Sequence, residues 1–144
     1  MATPLKAPLV ALALLLVASA DVSVQAREEE PRNCEESSST GGCALFGVSI
    51  VELLANPAQY DEKRVRLLGY IHFEFEGNGI YLHQEDAQHH LYKNGFWVSL
   101  GKNVSAPGCQ DAYVLIEGTF SMRNTGHMGL WSGAVTEITR CIKW

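Results

Sequence analysis

The sequence predicts a mainly β domain: a small closed or nearly closed barrel of five strands, with a short helix before the first strand and a short helical connection further on. Three observations predict it. Over 65–76, Val65, Leu67, Gly69, Ile71, Phe73 and Phe75 alternate with Arg66, Leu68, Tyr70, His72, Glu74 and Glu76, the period of two of a long half-buried strand. Asn78-Gly79 is a strong signal for a two-residue hairpin loop. The runs 96–100, 113–122 and 130–142 supply three further strands of uneven length. Five such strands with little helix close economically into a barrel.

The 144-residue chain, with a net charge of -5 and 47% hydrophobic residues, has room for one domain and a tail. Lys6, the unbroken apolar run 9–17 and Ala18-Ser19-Ala20 form the three parts of a signal peptide over 1–20, with cleavage expected before Asp21 or, alternatively, after Ala26. The apolar run is shorter than the ~20 residues that span a bilayer, so no stable membrane span is expected after cleavage. Residues 21–43 read as an acidic, Ser/Gly-rich linker, carrying six acids against two arginines. The expected domain, 44–144, holds ten acids and eight bases. Most of the acidity therefore belongs to the tail.

Four cysteines in an exported chain read as two disulfides. An antiparallel pairing of 113–122 with 133–142, turning near Asn124-Thr125-Gly126, places Cys109 opposite Cys141 and leaves Cys34 for Cys43. Asn103-Val104-Ser105 fits a glycosylation acceptor. In the domain, Ser49 and Glu52 form a capping box with Val48 and Leu53 as its hydrophobic staple, so a short helix starts at Ser49 and stops at Asn56-Pro57. Gly69 marks a bulge or bend. A two-residue loop at Asn78-Gly79 sets Gly77 opposite Ile80 and Phe75 opposite Leu82. Residues 85–91 form the short helical connection.

Val48-Ser49-Ile50-Val51-Glu52-Leu53-Leu54, then Asn56-Pro57, Tyr60-Asp61-Glu62-Lys63-Arg64-Val65 and Gly69-Tyr70, together with Glu117-Gly118-Thr119 within 113–120, resemble small exported bacterial proteins with an OB-like barrel. The resemblance covers 48–144 and implies a fold, a five-stranded OB-like barrel, rather than an activity. One feature departs from it: the helical connection falls between strands two and three, where an OB barrel usually has it between three and four.

OB-like barrels bind ligands across strands two and three and between the loops joining strands one to two and four to five. Those positions supply Tyr81, His83, Trp97, Arg123, His127 and Trp131, a set suited to stacking on sugars or packing on a peptide. Trp97 and Trp131 read equally well as core residues. The same hairpin register sets His83 beside Glu74 and Glu85 beside His72, a group that could hold zinc or another divalent metal, with His89-His90 adding a ligand. Such alternation is also that of a solvated strand face. No G-x-S-x-G, H-E-x-x-H or glycine-rich phosphate loop occurs, and the acidic balance argues against nucleic acid. The expectation is thus a non-enzymatic, periplasmic or secreted binding module, without a cofactor, for an envelope or extracellular protein or glycan. A divalent-metal protein and an inhibitor or immunity-type protein with a single protein partner are the alternatives.

Overall fold

The structure is a computed structural model that describes residues 33–102 and 108–144. The expected signal peptide with its cleavage sites, the first part of the linker and the Asn103 triplet lie outside the described residues. The sheet begins ten residues before the expected domain boundary. β1 (Cys34–Ser37) and β2 (Cys43–Gly47) form an antiparallel pair with an irregular register. A disulfide, Cys34–Cys43, ties them. β2 then runs parallel to β3 (Arg64–His72), with Phe46 facing Val65. Backbone pairing and the disulfide order a segment whose own side chains carry little hydrophobic signal.

α1 (Ile50–Ala55) starts where its cap predicts: the Ser49 hydroxyl accepts the Glu52 amide at 3.0 Å. The other half of the capping box is diverted. The Glu52 carboxylate accepts from the Tyr60 hydroxyl, at 2.6 Å, and from the Asn33 amide. Pro57 ends α1 and opens α2 (Pro57–Tyr60). Tyr60, fully buried, meets Phe46 edge-on at 5.7 Å.

β4 (Gly79–Tyr81), α3 (Gln84–Gln88), a 3-10 turn (Tyr92–Asn94), β5 (Gly95–Leu100), β6 (Ala112–Ser121), a second 3-10 turn (His127–Gly129) and β7 (Ala134–Lys143) complete the chain. The order β3-β4-β5-β7-β6, closed by β6 pairing with β3, makes a five-stranded barrel in which β5 and β7 run parallel. This is an OB-like barrel, with its helical connection between the second and third barrel strands.

Two registers differ from expectation. Ile71 faces Ile80 and His72 faces Gly79, so the connection at Asn78-Gly79 is a loop over 73–78 rather than a two-residue turn. The shift is an even number of residues, so the apolar faces still agree. Cys141 faces Ile116 on β6. The Cys109–Cys141 disulfide nonetheless exists, because the segment before β6 carries Cys109 into the core, where it is 1% exposed.

Gly69 introduces no bulge: β3 and β6 pair without a register shift from Arg64↔Thr119 to Ile71↔Ala112. A Cβ there would lie 2.6 Å from Ile50 Cδ1 and 2.7 Å from the Tyr81 carbonyl oxygen. The glycine lets α1 and β4 close on β3. On the outer surface, Arg66, Glu117 and Arg140 lie in one cross-strand row. Burial acts to raise the Glu117 carboxyl, but the two guanidiniums outweigh it and hold the group below its ordinary value.

Two outcomes follow. Gly69→Ala should destabilise the fold by about 1–3 kcal/mol in chemical denaturation, because backbone as well as side chains block the added methyl. Glu117 contributes stability that is present above the ordinary carboxylate range and lost as pH falls through its lowered value. The stability difference between the native protein and Glu117→Gln should therefore be largest near neutrality and shrink on acidification below about pH 4.

Candidate functional site

The outer face of β4 and β5, where an OB-like barrel would receive a ligand, is occupied by the chain itself. Outward-pointing Tyr81 and Trp97 meet Trp131 from the β6–β7 connection, with ring centroids 5.3 and 6.0 Å from the indole. Tyr92, from the turn after α3, closes the cluster at 4.9 Å. Gly79 and Gly126 lie against the indole so closely that a Cβ on either would strike it. Trp131 is 0% exposed and Tyr81 1%. Both belong to the core and not to an open ligand-binding face, because two connections fold over the face that alternation alone leaves open. Burial pushes the Tyr81 phenol well above its ordinary value, aided by the nearby Tyr92, Glu74 and Asp86.

The connections are fastened as well as packed. Lys93 Nζ donates to the Trp131 carbonyl at 3.0 Å and to that of Gly129 at 3.3 Å. Asp86, buried, accepts from the His83 amide at 3.1 Å and from Asn94 Nδ2 at 2.8 Å. His83 thus stands at the N-terminus of α3 rather than on a strand opposite Glu74. Trp97 is half-buried against Trp131. Arg123 is exposed, 4.0 Å from Asp61.

The expected metal group is not assembled. With His72 facing Gly79 and Glu85 in the first turn of α3, His72, Glu74, His83 and Glu85 do not share a strand face. Among the described residues no group of three or more His, Cys, Asp or Glu is placed to hold a metal ion. His72 instead pairs through Nδ1 with Asp111 at 2.6 Å, beside a cavity of about 330 Å³ lined also by Tyr70, Gln88 and His90. That geometry orients an imidazole as a general base would be oriented. However, its Nε2 faces the Glu74 carboxylate at 3.9 Å rather than a hydroxyl or thiol nucleophile.

What the fold does bring together is a pair of loops at one end of the barrel, 73–78 and 122–133. Glu76 Oε2 and His127 Nε2 bridge them at 3.2 Å. Next to this bridge in sequence, one on each loop, stand Phe75, 91% exposed, and Met128, 81% exposed. Glu76 and Met128 both adopt left-handed backbone conformations, φ 57° and 53°, which cost a non-glycine residue about 1 kcal/mol or more and persist only where surroundings impose them. Of the expected ligand residues, Arg123, His127 and Trp131 lie on these loops, and Trp131 is enclosed. Phe75 carries no sequence signal of exposure, because strict alternation assigns it to the buried face, and nothing local distinguishes Met128.

Trp131→Ala separates a core role from a ligand role: loss of a fully enclosed indole should cost about 3–5 kcal/mol in denaturant unfolding, whereas a ligand-facing tryptophan would leave stability nearly unchanged. No family model, no curated protein and no solved structure matches this chain, so its functional reading rests on the loop pair itself.

Proposed function

We propose that this chain is a non-enzymatic exported binding module whose ligand is a protein of the envelope or exterior, engaged through the loops 73–78 and 122–133. The observation that carries the reading is the display of Phe75 and Met128 on two loops joined by the Glu76–His127 bridge. Isolated exposed apolar residues are ordinary. Two large ones on neighbouring, conformationally constrained tips, with charged groups beside them, have the make-up of a protein contact: apolar anchors within a polar rim. A pre-shaped tip also spares the ordering cost that a flexible loop would incur on binding. Glycan stacking on the β4–β5 face is disfavoured, since sugars stack on open aromatic rings and Tyr81 and Trp131 are enclosed. Two disulfides support an oxidising, exported setting. No helix among the described residues is long and apolar enough to cross a membrane.

A photo-crosslinking side chain placed at Phe75 should give a discrete protein adduct from envelope or extracellular extract, and the same group at exposed Ser99 should not. Phe75→Ala and Met128→Ala should each weaken capture of that protein by roughly tenfold, with stability changed by no more than about 0.5 kcal/mol. Equal adducts from both positions, or a glycan-only response, would reject the reading.

A further inference from the structure

The loop 73–78 carries two carboxylates, Glu74 and Glu76, and their charged neighbours are of one kind. Glu74 lies 3.9 Å from His72 Nε2 and 3.8 Å from His90 Nδ1. Glu76 lies 3.2 Å from His127 Nε2. These histidines come from three elements: the end of β3, the residues after α3, and the β6–β7 connection. No lysine or arginine among the described residues pairs with either glutamate. Lys93 donates instead to the Gly129 and Trp131 carbonyls, and Arg123 lies 4.0 Å from Asp61.

The remaining groups facing these histidines sharpen the balance. His72 Nδ1 lies against Asp111 at 2.6 Å, and His90 Nδ1 lies 3.3 Å from the Tyr92 hydroxyl. The Tyr81 phenol lies near Glu74 but is held neutral by burial. Among the described residues, then, the two carboxylates that flank Phe75 in sequence, Glu74 and Glu76, pair only with imidazoles, one of which, His72, is shared with Asp111. Imidazoles as a class change charge between about pH 5 and 8. Protonated imidazoles pair these carboxylates within the chain; neutral ones leave them unpaired beside an exposed apolar tip.

Building on the proposed binding role of these loops, we propose that Glu74 and Glu76 contact a basic segment of a protein partner that packs on Phe75 and Met128. His72, His90 and His127 compete for the same carboxylates when protonated, so acid releases the partner. Charge complementarity selects the occupant: an apolar tip bordered by carboxylates fits a segment that combines lysine or arginine with apolar residues, and repels an acidic one. The direction of the pH effect follows from the competition. Each imidazole that gains a proton offers its glutamate a cation at no loss of chain freedom, and the partner's cation must then displace it.

The test uses a labelled peptide of alternating lysine and leucine, and its glutamate counterpart, with fluorescence anisotropy at about 0.15 M salt. The lysine peptide should bind roughly fivefold or more tightly at pH 8 than at pH 5, and the glutamate peptide should not bind. The double variant Glu74→Gln, Glu76→Gln should remove most of the lysine-peptide affinity at pH 8. Replacing His72, His90 and His127 by glutamine should flatten the pH profile to within about twofold. Histidine ring resonances give an independent reading: Glu76→Gln should shift the titration of His127, and Glu74→Gln those of His72 and His90. Absence of lysine-peptide binding, an unchanged affinity in the glutamate variant, a pH profile that survives loss of the histidines, or unmoved titrations would each overturn the proposal. If Phe75→Ala leaves affinity intact while the glutamate variant loses it, the apolar-tip reading fails and the carboxylate competition stands.

Discussion

Everything in this domain rests on the closure of the barrel through β3 and β6. Eight consecutive residue pairs, Arg64↔Thr119 through Ile71↔Ala112, join these strands without a break. One edge of β3 is thereby fully committed, so β2 and β4 must share the other, β2 at Val65 and Arg66 and β4 from Tyr70 onward. Between those two short partners the edge is approached by the side chain of Ile50 from α1, and the contact is close enough to require glycine at position 69. A closed ladder satisfies the backbone groups that an open edge would expose. It also fixes which residues point outward, which decides where the site can be.

Two outward surfaces are treated in opposite ways. On β3, β6 and β7 the outer face carries charge, with Glu117 held between Arg66 and Arg140 and with Glu35 from β1 reaching the same arginine. On β4 and β5 the outer face carries aromatic rings, and the chain covers them with its own Trp131 and Tyr92. A face available for ligands in other barrels of this shape is here a second small core. The surface proposed for recognition is the pair of loops at its margin, of which 122–133 is fastened by Lys93 on the Gly129 and Trp131 carbonyls.

The disulfides bracket this arrangement. Cys34–Cys43 secures the added hairpin, and Cys109–Cys141 ties the segment before β6 to the last strand. A domain of about a hundred residues has a limited core, and cross-links that restrict the unfolded chain compensate in part for that size. The exposed tips around Phe75 and Met128 add nothing to that core, so their shape must be maintained by the surrounding contacts rather than by their own burial.

The sequence by itself determined the class of fold, the five barrel strands, the helix at Ser49 and the place of the helical connection, which depend on alternation and on a cap three residues from its partner. The cysteine pairing it favours is the observed one, although the strand alignment that favours it is shifted. Register, and with it the site, was decided only by tertiary structure. Moving Ile80 from Gly77 to Ile71 preserves every apolar face, so hydrophobic pattern cannot distinguish the two alignments. Yet that shift separates His83 from Glu74, releases 73–78 as a loop, and brings Phe75 from the buried face into solvent. Likewise, the burial of Trp131 depends on Gly79, Tyr81, Tyr92, Trp97 and Gly126, contributed by four separate stretches of chain. Local pattern records which face a side chain takes; which other segment arrives to cover it is a property of closure.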